Sequence, residues 1–132
     1  MVFIKGGLQH ALKVLVRRSS VPVELNVRVE RPLPEDLKLT VYYIVAEALL
    51  NVVKHAHASL AHVDLTADHS TIHLMIQDNG IGGADPATGC GLIGLTDRIE
   101  AIGGTLHIGS SKRQGTSLLA EIPTEITAND EP

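Results

Sequence analysis

The alternation of apolar and polar positions divides the chain into eight elements. Leu8, Ala11, Leu12, Leu15 and Val16 recur at helical spacing between about Leu8 and Arg18, and Ser19, Ser20 and Pro22 end that run. Val23, Leu25, Val27 and Val29 then alternate with Glu24, Asn26, Arg28 and Glu30, as in a half-buried strand. Pro32 and Pro34 break the strand, and Glu35 and Asp36 follow as acids suited to the first turn of a helix. That long helix is expected to run to about His57. Two strands come next. Val63, Leu65 and Ala67 alternate with Asp64, Thr66 and Asp68, and Ile72, Leu74 and Ile76 alternate with His73, Met75 and Gln77, with His69 and Ser70 at the turn. The stretch from Asp78 to Gly94 has no strong period. A third helix carries Leu95, Ile99 and Ile102 on one face, and Gly103 and Gly104 stop it. Two last strands, about Thr105–Ser111 and Thr116–Ile122, are joined by a turn at Lys112–Gly115. Five strands and three helices, each apolar on one side, predict the α/β class and a two-layer α/β sandwich. One domain is expected over residues 1–123, with a polar, disordered tail at 124–132.

Composition narrows the function classes. A hydrophobic fraction of 44% in 132 residues supports one core and argues against a disordered chain. Aromatics make up only 2%, which argues against a platform that stacks nucleic-acid bases. The net charge of −4 argues against a general polyanion surface, so no nucleic-acid partner is expected. The charge is uneven: residues 1–60 carry +3 and residues 61–132 carry −7. Lys13, Arg17 and Arg18 cluster near the start, either as a solvated helix face or as a docking surface for an acidic partner. Cys90 is the one cysteine, which fits a reducing compartment. No apolar run reaches the roughly 18 residues of a membrane span, and Met1–Gly7 lacks a signal-peptide layout. A cytoplasmic domain without direct membrane contact is expected, in a parent protein that could be membrane-anchored.

The long helix holds the first candidate chemistry. From Val41 to Val53 it is apolar nearly all round, apart from Tyr42, Tyr43, Glu47 and Asn51, and such a helix is expected to be buried. At roughly 100° per residue, Glu47, Asn51, Lys54 and His55 fall within an arc of about 100°. This stripe is either a polar network facing water or a site for a charged ligand. Asn51 offers a carbonyl oxygen suited to Mg²⁺, Lys54 a cation suited to phosphate, and Glu47 a carboxylate that could accept a proton or hold a water.

Glycines supply the second part. Ten of the 12 lie between Gly80 and Gly115. Asp78 closes a predicted strand, where a carboxylate can accept a hydrogen bond from an exocyclic amine, and Gly80 and Gly82 beside it would let a flat ring approach the backbone. Alone, this segment also reads as a turn. Gly89, Gly91 and Gly94 form a GxGxxG before a helix, whose N-terminus could bind phosphate. No strand precedes it as a Rossmann unit requires, and no GxxxxGK(S/T) exists, which excludes a P-loop. Gly115–Thr116 opens the last strand with a hydroxyl.

In order, Glu47-x-x-x-Asn51-x-x-Lys54-His55, Asp78-x-Gly80-x-Gly82, Gly89-x-Gly91-x-x-Gly94 and Gly115-Thr116 resemble the N, G1, G2 and G3 boxes of sensor histidine kinases, within the superfamily shared with gyrase, Hsp90 and MutL. The run from Gly91 and Leu92 to Arg98, Ile99, Gly103 and Gly104 is similar to the nitrate-sensor (NarL-partner) subfamily. So is the Lys54-His55-Ala56 ending of the N box. The resemblance covers about residues 6–123. It implies a Bergerat-type ATP site between helices and a mixed five-stranded sheet. Asn51 would coordinate Mg²⁺, and Lys54 and His55 would contact phosphate. Asp78 would bind the adenine amine, with Gly80 and Gly82 lining the ring. Gly89, Gly91 and Gly94 would form the lid hinge and phosphate cradle, and Thr116 would bind adenine through water. Glu47 would be the candidate base or orienting acid.

In this subfamily the phosphorylated histidine is followed by Asp or Glu. His10, His55, His57, His62, His69, His73 and His107 are followed by Ala, Ala, Ala, Val, Ser, Leu and Ile. The resemblance therefore implies a catalytic domain, excised or one half of a split kinase. Such a domain phosphorylates a histidine on the dimerisation helices of the same or a partner chain and acts indirectly on a response regulator. The alternatives are an anti-sigma-factor-type serine kinase and a non-catalytic nucleotide-binding module.

Overall fold

A computed structural model of the chain describes residues 7–29, 33–52, 59–68, 70–80, 92–111 and 115–124. Helix α1 spans Gly7–Arg17, strand β1 Val23–Val29, helix α2 Glu35–Asn51, strand β2 Ala61–Ala67, strand β3 Thr71–Asp78, helix α3 Leu92–Glu100, strand β4 Thr105–Ser111 and strand β5 Gly115–Pro123. These are the eight elements predicted from periodicity, with most bounds shifted by a residue or two; α3 begins at Leu92, inside the stretch read as aperiodic, and ends at Glu100, before Ile102. The segment 53–58, where α2 was expected to continue, and all but Thr124 of the expected tail at 124–132 lie outside the described residues.

The five strands form one sheet in the order β1-β2-β3-β5-β4. β1 and β2 are parallel, and the remaining neighbours are antiparallel. The period-two pattern sends Val63, Leu65, Ile72, Leu74, Ile76, Leu118, Ala120 and Ile122 to one face, where they are buried with Leu12, Leu37, Val41, Ile44, Val45 and Ala48 from the helices. The opposite face is mostly polar, with Met75 and Leu119 as an apolar pair, and one cross-strand row runs Arg28, Thr66, His73, Glu121, Thr105. The N–H of Gly104 donates to the carbonyl of Ile99 at the end of α3, and Gly103 adopts φ 83°, the left-handed conformation of a helix stop.

The expected burial of α2 over Val41–Val53 is not complete: Leu50 is 44% exposed, as is the excepted Tyr43 at 47%. Leu39, just before that run, is 37% exposed. These side chains lie on the side away from the sheet. A two-layer fold covers a helix from below and from its flanks and leaves its outer stripe to solvent. Tyr43 is partly shielded by Arg98 of α3, whose guanidinium lies 5.5 Å from the ring centroid. Lys13, Arg17 and Arg18 are exposed. Arg18 rims a shallow groove between α1 and α2 with Leu15, Ala46, Leu49 and Leu50.

The β2–β3 turn is held by a carboxylate. Asp68 Oδ1 accepts the backbone N–H of Ser70 at 2.9 Å and of Thr71 at 2.8 Å. Those two backbone hydrogen bonds, Ser70 first, hold the Asp68 carboxyl below its ordinary value of 3.8. A folded value that is depressed contributes stability above 3.8, and this contribution is lost as the pH falls through the lower folded value. Thermal melts of wild type and Asp68→Asn should therefore differ most near neutrality and converge as the pH falls below 3.8. A gap that stays constant would contradict this role for the charge.

Candidate functional site

The sheet brings three chain segments together at one end. Ala61, the first residue of β2, pairs in register with Asp78, the last of β3. On the other side of β3, Gln77 pairs with Ser117, which sets Gly115 and Thr116 beside Asp78. β1 ends at Val29, opposite Ala67 at the far edge of the sheet. Helix α2 must return from there to the start of β2, so its C-terminus, with Asn51, comes to the Asp78 end.

Asp78 is half-buried. Its Oδ1 accepts the backbone N–H of Gly80 at 2.8 Å, closing a tight turn directly after the strand. Gly80 itself is buried. The second carboxylate oxygen, Oδ2, has no hydrogen-bond partner among the described residues. The turn is backed by β5: Gly115 has φ 82°, and a Cβ there would lie 2.8 Å from the Asp78 carbonyl carbon and 3.1 Å from Asn79 Cα. Only a residue without Cβ lets the start of β5 approach Asp78 this closely. Thr116 follows, half-buried and in register with Ser110.

Asn51 is half-buried at the end of α2, and its Nδ2 is enclosed with no hydrogen-bond partner among the described residues. A buried amide donor of this kind is costly unless something brings it an acceptor. Glu47, one turn earlier, is exposed. The predicted stripe thus runs from solvent at Glu47 inward to Asn51, and the carboxylate carries no burial cost. Gly94 is the third residue of α3, exposed, with open space where a Cβ would point. Lys54, His55, Gly82, Gly89 and Gly91 lie outside the described residues.

Asn79 is the residue that pattern reading passed over. Its Oδ1 accepts the N–H of Ser59 at 2.9 Å and of Leu60 at 3.0 Å, and its Nδ2 donates to Ser59 Oγ at 2.9 Å. The available signal was an Asn between a strand-ending Asp and a Gly, a position where Asn commonly bonds nearby backbone.

The Asp78 end of the sheet thus holds a carboxylate with one oxygen unpaired among the described residues and a glycine-backed turn beside it, and Asn51 of α2 carries an unpartnered amide. Comparison with known proteins gives the family. Residues 36–126 match the family described as histidine kinase-, DNA gyrase B-, and HSP90-like ATPase. The chain is 36% identical over 92 residues to the oxygen sensor histidine kinase NreB of Staphylococcus carnosus, covering 67% of this chain and 26% of that protein. It is 31% identical over 134 residues to the sensor histidine kinase YdfH of Bacillus subtilis, covering 97% and 33%. Among solved structures, the histidine kinase domain of a blue-light activated histidine kinase from Erythrobacter litoralis shares the fold. The TM-score is 0.67 at 18% identity, with 89% of this chain and 59% of that chain covered.

The chain therefore belongs to the histidine kinase-, gyrase B- and HSP90-like ATPase family. Within it, this is the catalytic, ATP-binding domain of the sensor histidine kinase type. It spans about a third or less of the length of these curated relatives. Among the described residues no helix is long and apolar enough to cross a membrane, and no cluster of three or more His, Cys, Asp or Glu could hold a metal.

Proposed function

We propose that the domain binds ATP with Mg²⁺ at the Asp78 end of the sandwich. It then donates the γ-phosphoryl group to a histidine on a separate dimerisation domain, which passes the signal to a response regulator. The observation that carries this reading is the Asp78 carboxylate, oriented through Oδ1 by the Gly80 N–H with Oδ2 left available, inside a chain of this ATPase family. Oδ2 accepts a hydrogen bond from the adenine amine. Gly80 and Gly82 line the ring, and Thr116 reaches it through water. Lys54, His55 and the glycines at 89, 91 and 94 hold the phosphates. Cytoplasmic ATP supplies the reaction, so the domain works on that side of any membrane that anchors the parent protein.

Asn51 fits a metal–phosphate ligand. Its unpartnered Nδ2 calls for an acceptor such as a phosphate oxygen, and its Oδ1 is a hard oxygen ligand of the kind Mg²⁺ takes. Mg²⁺, when bound, supplies positive charge against the phosphate oxygens. In the transfer, the bond from the γ-phosphorus to its bridging oxygen breaks and a bond to the histidine nitrogen forms. ADP leaves, and the imidazole proton passes to a base. The protein contributes mostly position and charge. Exposed Glu47, one turn before Asn51, is the candidate to orient the acceptor imidazole or take its proton. An acid beside the acceptor histidine is the other candidate.

Titration of a fluorescent ATP analogue with and without Mg²⁺ tests the Asn51 assignment. Wild type should gain affinity from Mg²⁺, and Asn51→Asp should change that gain by about tenfold, the worth of a charged hydrogen bond or ligand. Equal Mg²⁺ dependence in both proteins would refute it.

A further inference from the structure

We infer that Asn79 is a positioning residue of the nucleotide site, which fixes the direction of the Asp78 carboxylate by locking the turn after β3 to the chain entering β2. The inference rests on the ATP reading of the Asp78 end and adds to it the residue that sets adenine selectivity.

β3 stops at Asp78, so the sheet ladder holds that residue through Ala61 and then gives out. Asn79 continues the pairing by other means. Its own N–H donates to the Leu60 carbonyl at 3.2 Å. Its Oδ1 takes two successive backbone N–H groups, of Ser59 and Leu60, and its Nδ2 holds Ser59 Oγ. One side chain thus uses both its acceptor and its donor on the chain entering β2. Asn79 is exposed, so packing does not hold it and these bonds do. The Asp78 carboxylate is aimed by the N–H of Gly80, the next residue along. The direction of that N–H follows from where Asn79 is pinned. The clamped residues Ser59 and Leu60 lie directly after the 53–58 segment, which follows Asn51 and carries Lys54 and His55. Asn79 therefore ties the residue that reads the base to the chain entering β2.

The test separates aim from stability. ATP presents the exocyclic amine that Asp78 reads, and inosine triphosphate presents a carbonyl there. Competition binding on the whole chain should give wild type a preference for ATP of about tenfold or more. Asn79→Ala should lose most of this preference, through weaker ATP binding with inosine triphosphate little changed. Asn79→Asp should restore it, because a carboxylate accepts both N–H groups and the Ser59 hydroxyl can donate in return. A purely structural role would weaken both nucleotides in proportion. Asn79→Ala with an unchanged ratio overturns the inference while leaving the ATP reading intact. Wild type that binds neither nucleotide overturns both. If Asn79→Ala does not fold, Asn79→Ser, which is too short to span both N–H groups, is read by the same ratio.

Discussion

Gly115→Ala should be the most damaging single methyl in this domain. The added Cβ would overlap the carbonyl oxygen of Asp78 and sit 2.8 Å from its carbonyl carbon, with φ held at 82°. A left-handed conformation costs an L-residue about 1–2 kcal/mol. Forcing an atom into packed backbone costs about 1–3 kcal/mol more. The two act together, because β5 cannot move away without breaking its ladder with β3. A loss of about 2–5 kcal/mol is a large part of a small domain's stability, and a fall in Tm on the order of 10 °C should follow. Urea or thermal unfolding measures it. A loss well under 1 kcal/mol would show that β5 does not press on Asp78 as described. Nucleotide affinity should fall in the same variant, since the backbone that yields is the one carrying the carboxylate.

Asp78→Asn should do the reverse, sparing the fold and crippling the site. Asn keeps an Oδ1 for the Gly80 N–H, so the turn survives. In place of Oδ2 it presents a second donor to an amine that is itself a donor. The lost hydrogen bond to a charged group amounts to about 1.5–3 kcal/mol, or roughly 10- to 150-fold in Kd. A fluorescent ATP analogue should report that drop while the melting temperature stays within a few degrees of wild type. Wild-type affinity in the variant would remove Asp78 from the site.

These two variants touch residues that differ in how far the sequence revealed them. The strands were legible because each has one buried face: Val63, Leu65 and Ala67 against Asp64 and Thr66 leave a single register. Asp78 was legible as the last polar residue of such a strand. Gly115 was legible only as a glycine before a strand. Its necessity comes from the backbone of β3 beside it, a long-range contact that local pattern does not encode. The face of α2 that meets water was misjudged for a related reason. Leu50 looks like a core residue by type, and only the two-layer arrangement leaves it outside. Asn79 lies in a segment that also reads as a turn, and its partners, Ser59 and Leu60, lie 20 and 19 positions away, beyond the reach of local pattern.

The most direct test of the account is phosphoryl transfer between separate molecules. The chain is mixed with a dimerisation domain whose helix carries a histidine followed by Asp or Glu, in the presence of Mg²⁺ and ATP labelled on the γ-phosphate. Label should appear on the dimerisation domain as an acid-labile phosphohistidine, strongly reduced with Asp78→Asn. Demonstrated ATP binding with no label transferred, or label that survives acid as phosphoserine, would contradict it.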